Sequence, residues 1–140
     1  MLSVKVTKTK SVTKKTVAKK PSATGLKRLN PGPRYSDAVI HGNVVYLAGK
    51  VALKNKGKSV TQQTKEILQE IDKTLKQAGT DKTKLITANI WLAKITTAAE
   101  MNAVWDKWVS KGNTPARATV EAKLVDPGFT VEIMVTAALN

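Results

Sequence analysis

Residues able to do chemistry are few in this chain and gather near its C-terminus. Cysteine is absent and His41 is the single histidine. Disulfides, thiolate nucleophiles and thiolate metal sites are therefore excluded, and one histidine cannot assemble a histidine metal site. Any reaction must rest on arginine, carboxylates, hydroxyls, backbone groups and water. The densest supply of these lies in two alternating stretches. Arg117, Thr119, Glu121 and Lys123 interleave with Ala118, Val120, Ala122 and Leu124; Thr130, Glu132, Met134 and Thr136 interleave with Val131, Ile133 and Val135. Period-two alternation predicts strands over residues 118–124 and 130–137, joined at Asp126-Pro127-Gly128. It also groups Arg117 with Glu132 on one polar face. That face is too polar for an ordinary core and not wholly charged, so a small polar pocket or a subunit interface would explain it.

The elements that must carry these strands can be read upstream. Pro31-Gly32-Pro33 is a stiff loop that starts the folded domain. Val39-Ile40-His41 and Val44-Val45-Tyr46-Leu47-Ala48 flank Gly42-Asn43 and predict a tight hairpin. Residues 61–78 place Ile67, Leu68, Ile71 and Leu75 on one helical face, with Gly79 at the C-terminal stop. Residues 85–92 predict a strand with Ile86, Ala88, Ile90 and Leu92 on one side. Thr97-Ala98-Ala99-Glu100 has capping-box spacing for a second helix. Met101, Val104, Trp105 and Trp108 form its buried stripe, the ordinary use of tryptophans at that spacing. The resulting order, β-β-α-β-α-β-β, predicts an α+β domain: a mixed sheet with two helices on one face and its other face uncovered.

The net charge of +14 suggests nucleic acid until its distribution is considered. Nine of the 24 basic residues occur up to Arg28, with no acidic residue among them, leaving fifteen basic against ten acidic in the remainder. The excess therefore sits in an N-terminal extension, residues 1–28, ahead of a domain over residues 29–140. Lysine interspersed with serine, threonine and valine favours a flexible tail. It is open to three readings: a solvated extension, a mitochondrial or related organelle presequence, or a weak electrostatic hold on RNA or an anionic membrane. No aromatic residue stands between its lysines to stack on bases. No apolar run is long enough to span a bilayer. The expected location is cytoplasmic, with the organelle as the alternative, nucleic acid is expected to engage only the tail, and no membrane partner is expected.

Thr114-Pro115-Ala116-Arg117-Ala118-Thr119-Val120-Glu121, followed by Val131-Glu132-Ile133, resembles the C-terminal signature of the Rid family. These are the YjgF-type imine and enamine deaminases, also called endoribonuclease L-PSP proteins. Tyr35-Ser36-Asp37-Ala38-Val39, Leu47-Ala48-Gly49 and Met101-Asn102-Ala103-Val104-Trp105 match the family's other blocks in order. The resemblance runs from about Pro31 to Leu139. It implies a chorismate-mutase-like fold and a homotrimer with active sites in clefts between subunits. It also implies cofactor-free hydrolysis of small 2-imino acids, released by pyridoxal-phosphate enzymes, to 2-keto acids and ammonia.

On this resemblance Arg117 grips the substrate carboxylate through a two-pronged guanidinium contact, and Glu132 orients water and accepts its proton. The bland readings are a surface ion pair for Arg117 and pairing with Lys123 for Glu132. Tyr35, Ala48, Gly49, Asn102 and Thr119 complete the expected substrate-binding set. The chain departs from the familiar pattern in three places. Arg34 intervenes before Tyr35; Ala48-Gly49-Lys50 replaces Ser-Gly-Gln; Thr119 replaces a common cysteine. A ribonuclease or translation inhibitor, and a trimeric protein that only binds small carboxylates, are the alternative functions.

Overall fold

The computed structural model describes residues 25–140. It contains strands β1 (Leu26–Pro31), β2 (Ser36–His41) and β3 (Val44–Leu47), helix α1 (Val60–Ala78) and strand β4 (Leu85–Leu92). Helix α2 (Ala98–Trp108), β5 (Ala116–Glu121) and β6 (Val131–Ala138) follow. The α+β class and the two-helix layer are as expected. The element order needs one correction, because β1 precedes the expected hairpin. Its residues Leu26, Lys27 and Arg28 had been assigned to the tail, yet they pair with His41, Ile40 and Val39 of β2. Lysine and arginine hid this strand, since an edge strand can leave such side chains in solvent. The expectation of a flexible tail otherwise concerns residues 1–24, outside the described residues.

The six strands lie in the order β1-β2-β3-β6-β4-β5. Every neighbouring pair is antiparallel except β4 and β5, which run parallel. A parallel pair requires a crossover, and α2 supplies it. Ala38, Val45, Leu47, Ala88, Ile90, Leu92, Val131, Ile133, Val135 and Ala137 form the buried face of the sheet. Against it α1 lays Ile67, Leu68, Ile71 and Leu75, all buried, and α2 adds Met101 and Trp105.

Local signals explain most boundaries. Gly42, with φ of 58°, occupies the first position of the two-residue turn, where glycine meets no Cβ penalty. Ser59 caps α1 in a reciprocal box with Gln62, and Gly79 ends it in the left-handed region with its N–H on the carbonyls of Leu75 and Lys76. Two expectations fail locally. Ile86 is exposed because an irregularity between Leu85 and Thr87 shifts the register, so Leu85 is buried instead. The capping box on α2 does not form. Thr97 ends a tight turn and its hydroxyl donates to the Lys94 carbonyl at 2.6 Å, while Glu100 accepts from the backbone and hydroxyl of Thr61.

These contacts make β1 part of the domain. Leu29 is buried in the core, and the Asn30 side chain bonds both Asp37 and Gln77 of α1. Truncation through Pro31 is expected to cost about 2–5 kcal/mol, the range for emptying a buried leucine site. Truncation through residue 24 is expected to leave the urea midpoint unchanged. Equal midpoints for the two truncations would remove β1 from the core.

Candidate functional site

The parallel pairing of β5 decides where the expected site residues point. Arg117 stands beside Ala88, Thr119 beside Ile90 and Glu121 beside Leu92. Paired residues on neighbouring strands share a face, and Ala88, Ile90 and Leu92 face the helices. Arg117, Thr119 and Glu121 therefore lie on the helix side. Glu132 pairs with Trp91, Met134 with Asn89 and Thr136 with Thr87, on the opposite, open side. The Thr87 and Thr136 hydroxyls meet there at 2.6 Å. Alternation had placed Arg117 and Glu132 on one face by assuming that β5 and β6 are adjacent. With β4 between them, they project from opposite faces.

Two half-sites result. On the helix side, the Arg117 guanidinium lies over the Trp105 ring of α2, 5.2 Å from its centroid, within cation–π range. Arg117 has no ion pair among the described residues, so the surface-pair reading does not hold. Asn102 precedes Trp105 by three residues and shares its helical face. The Oδ1 of Asn102 and the Oγ1 of Thr119 are both buried without a hydrogen-bond partner among the described residues. A buried polar atom without a partner is costly, and a polar ligand at the seam of α2 and β5 would relieve it. Chemically this half-site is a guanidinium cation held over an aromatic ring, on the side of the sheet that also carries two unpartnered polar side chains.

The second half-site sets Glu132 against Gly49, whereas Tyr35 shares with Gly49 a cleft that Glu132 does not line, and Ala48 only adjoins Gly49 in the chain. A Cβ on Gly49 would stand 2.8 Å from Glu132 Oε2, so glycine lets this carboxylate lie against the backbone. Gly49 and the exposed Tyr35 line a cleft of about 540 Å³ with Asp37, Lys50 and residues of α1. Lys50, at the position of the usual glutamine, places its ammonium 3.5 Å from Asp37. The start of β6 is held by Gln63, buried on α1. Its amide accepts from Thr130 N–H and donates to the carbonyls of Lys58 and Gly128. Glu132 itself makes no ion pair or hydrogen bond among the described residues. The expected partner Lys123 lies beyond the end of β5, two strands away. Partial burial holds the Glu132 carboxyl above the usual carboxylate range.

The structure thus unites Arg117 with Thr119 and Asn102, and Glu132 with Gly49, but does not join the two groups within one chain. Sequence reading also missed Trp105 as a site residue. It was seen only as core, and the signal was its three-residue spacing from Asn102. Among the described residues, no three histidine, aspartate or glutamate side chains cluster as a metal site, and no helix is long and apolar enough to cross a membrane.

A family profile for endoribonuclease L-PSP matches residues 25–139. The chain belongs to this family, known also as the YjgF or Rid family. The family match begins at residue 25 and so takes in β1. A RutC family protein of Haemophilus ducreyi is 41% identical over 113 residues, covering 81% of this chain and 96% of that protein. The crystal structure of a YjgF family member from Neisseria meningitidis superposes with a TM-score of 0.79 at 40% identity, covering 82% of this chain and 95% of that one. More distant, at 29% identity over 111 residues, is the 2-iminobutanoate/2-iminopropanoate deaminase of Homo sapiens, with 76% of this chain and 80% of that protein covered.

The raised pKa of Glu132 has a sign that stability can report. Relative to the unfolded chain, its stabilising contribution is complete below the ordinary glutamate range and is lost as pH rises through the raised folded value. Ionisation of Glu132 as pH rises therefore opposes folding. Glu132→Gln is expected to unfold at higher urea than the parent at pH 7, with the advantage shrinking toward pH 4, near the ordinary glutamate value. A pH-independent difference would assign the effect to packing.

Proposed function

We propose that this protein is a 2-iminobutanoate/2-iminopropanoate deaminase that works as a homotrimer, its substrate held between subunits. One observation carries the reading. Arg117 is free of any carboxylate among the described residues and lies over the Trp105 ring, on the same side of the sheet as Thr119 and on the helix that carries Asn102, two residues with buried, unpartnered oxygens. Such a group is suited to a small carboxylate ligand. The human relative's name supplies the substrate class, and the RutC relatives share the fold without naming a reaction.

Sheet geometry supports a site shared between chains. Arg117 and Glu132 leave opposite faces of one sheet, so a single molecule of a few carbons is reached by both only when they come from different subunits. The outer edge of β5 leaves backbone hydrogen-bonding groups unpaired, and the exposed Val120 adds apolar surface for such contact. An imino acid is already electrophilic, and no strong nucleophile is needed. Water adds to the carbon of the protonated imine as Glu132 takes one of its protons, giving the neutral carbinolamine. Glu132 returns that proton to nitrogen, and the carbon–nitrogen bond breaks as the carbinolamine hydroxyl gives its proton to Glu132, leaving the 2-keto acid and ammonia, which carries the last proton away as ammonium. A carboxylate with a raised pKa suits these proton steps. No metal or organic cofactor takes part.

The rival, a trimer that binds small carboxylates without turning them over, needs Arg117 but not Glu132. Arg117→Ala is expected to lower both 2-ketobutyrate binding and imine hydrolysis by about a thousandfold, the scale for losing a charged contact in a pocket. Arg117→Lys should rescue little. Glu132→Gln is expected to reduce turnover about a hundredfold or more while sparing binding. Calorimetry with 2-ketobutyrate and a 2-keto acid assay on freshly generated 2-iminobutanoate check these outcomes. Binding without hydrolysis in the parent would favour the rival, and ribonuclease activity abolished by neither substitution would set RNA cleavage apart from this site.

A further inference from the structure

We propose that Trp105 is a positioning residue for Arg117, a platform that holds the guanidinium flat and aimed before any ligand arrives. Arg117 extends from an exposed edge strand and has no ion pair among the described residues, so its side chain would otherwise sample many rotamers. An arginine that must be ordered on binding loses affinity to that cost. The structure removes this freedom with a ring. Trp105 is only 4% exposed, and its face lies 5.2 Å below the guanidinium carbon. Cation–π attraction and planar stacking both favour a guanidinium parked there. The edges of the group, where its N–H donors lie, stay available for a carboxylate.

The platform is itself fixed. Trp105 packs against Trp108, ring centroids 5.2 Å apart at 54°. The Trp108 indole N–H donates to Asp72 of α1 at 3.0 Å, and Lys82 caps the Trp108 ring at 5.4 Å. A chain of contacts from α1 thus sets the angle of Trp108, then of Trp105, then of Arg117. Packing alone would have been satisfied by any large apolar residue; an aromatic face under the arginine serves the arginine.

The consequence for catalysis rests on the deaminase reading, whereas the stacking does not, and the test separates them. Trp105→Phe and Trp105→Met both give up part of the buried indole volume, but only phenylalanine keeps a π face. In the free protein, the Arg117 Nε–H resonance, identified by its loss in Arg117→Lys, should be displaced by the ring current. It should remain displaced in Trp105→Phe and return toward the unstructured position in Trp105→Met. Calorimetry with 2-ketobutyrate should show binding weakened about five- to tenfold in Trp105→Met and changed about twofold or less in Trp105→Phe. KM should follow binding while kcat changes little. Equal losses in the two variants, or an unmoved resonance in Trp105→Met, would overturn the proposal. If the parent itself fails to bind 2-ketobutyrate, the deaminase reading falls and the resonance comparison alone decides whether Trp105 positions Arg117.

Discussion

Parallel pairing between β4 and β5 is the constraint on which the rest of this structure depends. Direct pairing of β5 with β6, in a register that brought Arg117 and Glu132 to one face, would have allowed a site within a single chain, but β6 pairs with β3 and β4 instead. The crossover through α2 instead sends β5 to the sheet's outer edge and seats Arg117 against the helix that made the crossing. The same connection therefore creates the arginine's platform and separates the arginine from the carboxylate. Each half-site is built by local packing, and neither contains both the arginine and the glutamate.

The chemistry expected of such a divided site matches its modest inventory. The proposed hydrolysis of an already activated imine asks for no more than a guanidinium, a carboxyl with a raised pKa and a backbone free of a Cβ at Gly49. What the protein contributes is placement. Gln63 fixes the entry to β6, and the Asp72–Trp108–Trp105 series fixes the support of Arg117. Both anchors reach back to α1, which is the most regular and best-capped element of the fold. Its polar side chains, Gln63 buried and Asp72 exposed, thus serve to orient the two strands that carry the candidate groups.

Much of this was legible from residue order, and the exceptions share a cause. The hairpin, α1 and β4 are local, and their glycine, capping and periodicity signals are sufficient. The α+β class and the family motif followed from them. Alternation on β6 holds, whereas β5 ends at Glu121 rather than Leu124 and turns Ala118 and Val120 away from the helices. The misuse of alternation lay in assuming that consecutive strands are neighbours, which no local pattern reports. β1 was missed because its basic residues tolerate an edge, and the α2 capping box because the Thr97 hydroxyl and the Glu100 carboxylate found other partners. Trp105 looked like core because it is core; its second role depends on where β5 returns.

Subunit mixing tests most directly whether Arg117 and Glu132 act from different subunits, as proposed. Arg117→Ala and Glu132→Gln proteins, each inactive alone, would be unfolded together, refolded and separated as trimers. Random assembly places an intact arginine and an intact glutamate across a shared cleft in about one quarter of sites, so deaminase activity should return to roughly that fraction of the parent's. Mixed trimers verified by mass that remain as inactive as either parent variant would contradict the claim.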